Sequence, residues 1–206
     1  MISRSANIVK RSLEELGKDL GKRSKARELG RAVLGFIGRW SSGSVRLGGV
    51  VRGVMTADVV TCVASETLHR AAQIMWERDC GAVPVVDTNG QSAGIITDRD
   101  LTMGALTQGL PLVAIPVGRV VSGRSYTVPV GGSVDDVVAV MRSERVRRVV
   151  VVDGSCKVVG IVALADVARY VAELGPTRGD AALVLADLVA TLSERRSSFE
   201  MGRAAQ

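Results

Sequence analysis

The chain has 206 residues, of which 47% are apolar and only 3% aromatic, and its formal net charge is +6 at neutral pH. That is enough chain for one domain of ordinary size with extensions, and its core must be built from valine and alanine. The longest purely apolar approach, Ala32–Ile37, is short and flanked by Arg31 and Arg39, and no apolar leader precedes a cleavage site. The composition therefore reads as a soluble cytoplasmic protein and not as a membrane-spanning or secreted one.

Residues 1–52 carry 12 Lys/Arg against 4 Asp/Glu, and the rest of the chain 15 against 17, so the positive charge belongs to the N-terminal end. Ile8, Leu13, Leu16 and Leu20 recur at roughly helical spacing among Lys10, Arg11, Lys18, Lys22 and Arg23, which predicts a basic helix or two over 1–40. Three roles stay open for it: packing on the C-terminal helix, electrostatic contact with nucleic acid, or lying on a membrane surface with Phe36 and Trp40 at one end. Ser41-Ser42-Gly43-Ser44 reads as a linker and closes this extension at about residue 49.

Beyond it the chain contains itself twice. Residues 51–101 align on 117–167 without a gap, with identity at Val51, Val54, Thr61, Met75, Val83, Val85, Val86, Asp87, Gly94, Ile95 and Asp100. A unit this short cannot bury its own core, so the copies are expected to pair and to form a cleft between them. Val59–Val63 predicts a strand. Leu68, Ala71, Ala72 and Met75 give one buried helix face, repeated as Val134, Val137, Val138 and Met141. A second strand follows at Val83–Val86 and Val149–Val152. Asn89-Gly90 reads as a two-residue hairpin turn, matched by Asp153-Gly154. A third strand covers Ala93–Ile96 and Val158–Val162, and a second helix begins near Asp98 and near Leu164. The unit is β-α-β-β-α, with the first two strands free to be parallel and the last two antiparallel. After Gly175-Pro176, residues 180–198 read as an amphipathic helix with Leu185, Leu188, Val189 and Leu192 on one face. The expected divisions are an extension over 1–49, repeats over 50–112 and 113–174, and a helical tail over 175–206.

Cys62, Cys80 and Cys156 sit in apolar runs without metal-type spacing and read as buried thiols in a reducing compartment. His69 is the only histidine and reads as a surface residue, so no metal site is expected. No nucleophile elbow, phosphate loop or dinucleotide fingerprint is present, which argues against an enzyme.

The repeated unit resembles the CBS (cystathionine-β-synthase-type) domain, and the tandem resembles a Bateman module. The residues that carry the likeness are the approach segments Val54-Met55-Thr56 and Val120-Val121-Ser122. To these are added Gly81-Ala82-Val83-Pro84-Val85-Val86-Asp87 with its partner Arg147-Arg148-Val149-Val150-Val151-Val152-Asp153. The last pair is Gly94-Ile95-Ile96-Thr97-Asp98-Arg99-Asp100 with Gly160-Ile161-Val162-Ala163-Leu164-Ala165-Asp166. The resemblance spans about residues 50–174 and implies an α/β fold of two pseudo-symmetric repeats, commonly a homodimer. It implies a non-catalytic regulatory role, with an adenosine-containing ligand (AMP, ADP, ATP, S-adenosylmethionine or NAD) in the inter-repeat cleft and an unidentified protein partner. The competing readings are a ligand-free scaffold and a protein acting through its basic tail on nucleic acid or membrane.

On this resemblance the ligand residues of repeat 1 are Val60, Thr61, Ala82, Val83, Pro84, Thr97, Asp98, Arg99 and Asp100. A weaker set in repeat 2 comprises Tyr126, Thr127, Arg147, Arg148, Val149 and Asp166. Asp100 would accept from a ribose diol, while Thr97 and free helix N–H groups suit a phosphate. Thr97-x-x-Asp100 also fits a helix capping box. Repeat 2 keeps Asp166 while replacing the threonine by Ala163, which leans towards ligand binding. It also places Arg147-Arg148 and Val150 where repeat 1 has Gly81-Ala82 and Pro84. Two unequal sites are expected, the better one in repeat 1.

Overall fold

The computed structural model describes residues 46–121 and 125–194, so the expected basic helices of 1–40 and the far end of the tail lie outside the described residues. The described residues divide into two units, one of residues 48–168 and one joining 46–47 with 169–194.

The larger unit holds both repeats. Repeat 1 forms β1 (Cys62–Val63), α1 (Leu68–Glu77), β2 (Ala82–Val86), β3 (Ser92–Thr97) and α2 (Asp98–Gln108). Repeat 2 forms β4 (Thr127–Pro129), α3 (Val134–Glu144), β5 (Arg148–Val152), β6 (Val158–Ala163) and α4 (Leu164–Glu173), the division between units falling within α4. The expected β-α-β-β-α order therefore appears twice, as separate three-stranded sheets ordered β1-β2-β3 and β4-β5-β6. In each sheet the first pair is parallel and the second antiparallel. A helical crossover permits the former and a tight turn enforces the latter.

Local chemistry sets the element ends. Thr67 caps α1 by accepting from Arg70 N, and Ser133 with Asp136 makes a complete capping box on α3. The helix α3 buries Val134, Val137, Val138 and Met141 as their spacing requires. In α1 the face is rotated: Ile74 is buried with Leu68, Ala71 and Met75, while Ala72 is half-buried. All five residues of the central strand β2 are buried, because the strand is covered on both sides.

The hairpins differ from expectation. Asp87 N donates to Gln91 O at 2.9 Å and Gly90 N to Asp87 O at 3.1 Å, with Gly90 at φ +79°. This is a three-residue loop, Thr88–Gly90, whose type I turn ends in a left-handed residue, and not a two-residue turn. Asp87 holds it by accepting from Asn89 N and Gln91 N at 2.8 and 2.9 Å. Repeat 2 copies the loop around Asp153, but the left-handed position falls on Cys156 (φ +62°), not on Gly154.

The approach segments are exchanged between repeats. Val51 N donates to Gly132 O at 2.9 Å and, pseudo-symmetrically, Val117 N to Glu66 O at 2.8 Å. Val134 N donates to Gly49 O at 3.2 Å and Leu68 N to Ile115 O at 2.8 Å. Thr56 and Ile161 exchange backbone bonds of 2.9 and 3.0 Å. Ile115 and Val117 are consequently part of the repeat 1 core. Gly160 is required by this crossing: a Cβ there would lie 2.7 Å from Met55 Sδ and 2.9 Å from Thr56 O.

In the smaller unit a 3-10 turn, Pro176–Arg178, leads into α5 (Gly179–Ser193). The buried residues of α5 are Ala181, Val184 and Leu188, whereas Val189, expected inside, is 43% exposed. The helix is apolar on most sides, so spacing alone does not single out its buried face. Among the described residues no helix is long and apolar enough to cross a membrane.

Candidate functional site

Each sheet brings three pieces of its repeat to one edge: the approach to the first strand, the start of the second and the start of the second helix. In repeat 1 the register Ala82↔Thr97 sets the opening of β2 beside the start of α2. Val60 and Thr61 precede β1 on the other side of β2. The structure thus gathers Val60, Thr61, Ala82, Val83, Pro84, Thr97, Asp98, Arg99 and Asp100 in one neighbourhood. In repeat 2 the register Arg148↔Ala163 does the same for Tyr126, Thr127, Arg147, Arg148, Val149 and Asp166. Val83 and Val149 are fully buried, main chain included.

The two edges differ by one N–H. In repeat 2 the parallel ladder runs through three pairs, Thr127↔Val150 to Pro129↔Val152, and Val150 N donates to Tyr126 O at 3.0 Å. Repeat 1 has Pro84 at the position of Val150. Proline has no N–H, so the matching bond to Val60 O cannot form. The ladder there retains only Cys62↔Val85 and Val63↔Val86. The strand expected over Val59–Val63 shrinks to Cys62–Val63 for this reason, and Thr61 lies outside it. Repeat 1 therefore leaves its edge open where repeat 2 closes it.

The helix starts differ as well. Asp100 Oδ2 accepts from Thr97 N at 2.8 Å and from Thr97 Oγ1 at 2.7 Å, while Thr97 Oγ1 accepts from Asp100 N at 3.3 Å. The capping box is complete, and among the described residues Asp100 Oδ1 carries no hydrogen bond. In repeat 2, Asp166 is only 6% exposed and its Oδ2 accepts from Ala163 N at 2.7 Å. Half of the box thus survives without the hydroxyl. The retention of Asp166 is explained by capping, and it does not by itself point to a ligand. Asp98 and Arg99 are exposed at the first turn of α2, and Arg147 is exposed while Arg148 is half-buried.

Gly81 is absent from the expected set, yet it stands between the repeats. A Cβ on it would lie 3.1 Å from Arg148 Nη2 and 3.2 Å from Asp98 Oδ2. The sequence signal was the contrast of Gly81 with Arg147 at matching positions.

The remaining polar candidates are scattered. Of the three cysteines only Cys62 is buried, whereas Cys80 and Cys156 are exposed because they stand after a helix end and in a hairpin loop. Burial, reinforced by the nearby negative charge of Glu66, pushes the Cys62 thiol up to about 11. Among the described residues no three His, Cys, Asp or Glu are grouped as a metal ion would require. An open groove of about 490 Å³ lies between α1 and α2, lined by Met75, Trp76, Cys80, Asp98, Leu101 and Leu112 among others.

Comparison with known proteins agrees with this geometry. The family profile described as "CBS domain" matches residues 51–105 and 117–173. The chain is 38% identical to Hypoxic response protein 1 of Mycobacterium tuberculosis over 123 residues, covering 59% of this chain and 85% of that one. It is 35% identical to the CBS domain-containing protein YhcV of Bacillus subtilis over 118 residues, covering 57% and 82%. The crystal structure of Hypoxic Response Protein I with two coordinated zinc ions superposes with a TM-score of 0.53 at 35% identity, covering 59% of this chain and 98% of that one. The CBS domain pair of protein MJ0100, solved in complex with 5′-methylthioadenosine and S-adenosyl-L-methionine, superposes with a TM-score of 0.53 at 27% identity, with the same coverage. With both repeats matched in sequence, in strand order and in register, the chain belongs to the CBS domain family.

Proposed function

We propose that the protein is a non-catalytic regulatory module that binds an adenosine-containing ligand in the cleft edge of repeat 1 and passes its occupancy to a partner protein. The observation that carries this reading is the edge opened by Pro84, set beside a capped helix start whose Asp100 Oδ1 is free to accept from a ribose hydroxyl. The ligand-bound MJ0100 pair supports the ligand class. Occupancy would act by favouring one of two arrangements of the paired repeats. Repeat 2, with its ladder closed by Val150, is the weaker site.

A homodimer is part of this reading. Trp76 on α1, Leu106 on α2 and Val113 in the turn after α2 are 89%, 72% and 58% exposed, apolar side chains that a second copy would cover. The exposed thiols of Cys80 and Cys156 suit a reducing compartment.

A thermal-shift panel of AMP, ADP, ATP, S-adenosylmethionine and NAD tests the ligand class, because a ligand in excess over its Kd raises the melting temperature. Calorimetric titration of the active ligand then separates the sites. Asp100→Ala is expected to weaken binding by roughly 10–100-fold, and Asp166→Ala to change it far less. A panel inactive at millimolar concentration, or equal losses from both variants, overturns the reading.

A further inference from the structure

Between Gly179 and Glu194 the chain carries Asp180, Asp187 and Glu194 and no basic residue. Most of α5 is otherwise apolar, and Ala181, Val184 and Leu188 form its buried face. A second apolar face stays in solvent. Ala182, Leu183, Ala186, Val189 and Ala190 are exposed, Leu183 at 38% and Val189 at 43%. These positions recur at i, i+1, i+4, i+7 and i+8, so they form one stripe along the helix. A surface helix ordinarily turns charged and polar residues to that side, and an apolar stripe of this length marks a docking face. Its three alanines keep it shallow and leave room for large side chains.

The chain itself arrives at this helix. Arg178, which immediately precedes α5, donates through Nη2 to Arg46 O at 2.5 Å and through Nε to Asp180 Oδ1 at 3.1 Å. Leu47 beside it is buried. The 45 residues that precede Arg46 are therefore tethered at the N-terminal end of α5. They carry ten Lys/Arg against four Asp/Glu, a charge opposite in sign to that of the helix. Within them Leu29, Val33, Phe36, Ile37 and Trp40 are spaced at i, i+4, i+7, i+8 and i+11, an apolar face at helical period.

From these observations we infer that residues 29–40 dock on the exposed stripe of α5 as an antiparallel helix. The direction follows from the tether: the segment runs towards the end of α5 from which α5 itself departs. The lengths match, since twelve helical residues span about 18 Å and the 15 of α5 about 22 Å. Trp40 and Phe36 then fall over Ala182 and Ala186, large side chains against small ones, and Val33 reaches Val189. The opposite charges of segment and helix favour the same pairing.

Acrylamide quenching of Trp40 tests this in the full chain carrying Trp76→Phe, a change at an 89%-exposed side chain that leaves one tryptophan. Trp40 is expected to be quenched weakly. Ala186→Arg in that background puts bulk and like charge on the stripe and should raise the quenching constant several-fold. Val189→Ser removes apolar area without adding bulk and should raise it less, which keeps the test open if Ala186→Arg does not fold. Free quenching of Trp40 in the parent leaves the stripe to an external partner and overturns the inference. A Trp40 that stays shielded in both variants lies elsewhere and overturns it too. A fall in sedimenting mass on Ala186→Arg, with Trp40 quenching unchanged, assigns the stripe to a second copy and likewise overturns it.

Discussion

The two repeats share a frame and differ at their edges. Both bury the same strand, fold the same three-residue loop and lend their approach segment to the other copy. Repeat 1 then has Pro84 and an interrupted ladder, a complete capping box at Thr97–Asp100 and an outer helix face bearing an exposed Trp76. Repeat 2 has Val150 and a continuous ladder, half a box and half-buried Arg142 in place of the tryptophan. None of these changes touches the register. The difference teaches that a duplicated fold can alter the edge of its sheet through one backbone donor while the packing that pairs the copies stays intact.

The shared frame is the part whose loss should cost most. Gly160→Ala drives a methyl group into Met55 Sδ and the Thr56 carbonyl, at 2.7 and 2.9 Å, and one of these is backbone that cannot swing away. A destabilisation of about 2–3 kcal/mol is expected from such overpacking. Gly154→Ala is the control, since nothing lies within 4 Å of its Cβ and its φ is ordinary. Equal midpoints for the two variants in urea denaturation would show that the exchanged approach segment is not held as tightly as the crossing implies.

Next in size is the edge itself. Val150→Pro removes the 3.0 Å bond to Tyr126 O, and a cost of about 1–2 kcal/mol is expected. Pro84→Val supplies the missing donor to repeat 1. If the edge closes, amide hydrogen exchange at residue 84 becomes slow, and binding of the adenosine ligand weakens. A Pro84→Val variant that binds as before would show that the open edge is not what distinguishes the repeats.

Much of the frame was legible because it is periodic. The spacing Val134, Val137, Val138, Met141 named a helix face, and the starts of α2 and α4 at Asp98 and Leu164 followed from the repeat. The edge was not legible in the same way. Pro84 was visible, but its effect depends on which neighbour would have received its hydrogen bond, and that is a matter of register. The capping role of Asp166 was hidden because Ala163 contributes a backbone N–H, which every residue but proline carries. The position of Arg148 beside Asp98 depends on the path of another repeat, which sequence spacing does not contain. In α5 the apolar residues are too evenly spread to choose a face, so Val184 and Leu188 are inside and Val189 is not.

The smallest difference between the repeats is in the loops, where a single residue carries it. Gly90 and Cys156 occupy the same left-handed position, at φ +79° and +62°. A residue with a Cβ pays about 1–2 kcal/mol there, whereas glycine loses about 0.5–1 kcal/mol more backbone entropy on folding. Cys156→Gly is therefore expected to stabilise the protein by about 0.5–1 kcal/mol, and Gly90→Ala to destabilise it by a similar amount. Contact differences do not enter, because the Cβ of residue 90 would find only Lys157 Cγ at 3.9 Å and Cδ at 4.0 Å, which is ordinary contact. The loop around Cys156 is otherwise fixed by Asp153, which accepts from Ser155 N at 2.8 Å and Lys157 N at 3.0 Å, so the backbone does not relax when the side chain is removed. Urea denaturation of the two variants should shift the midpoint in opposite directions at constant slope. A shift of the same sign in both would mean that the two loops, alike in hydrogen bonding, are not equivalent in strain.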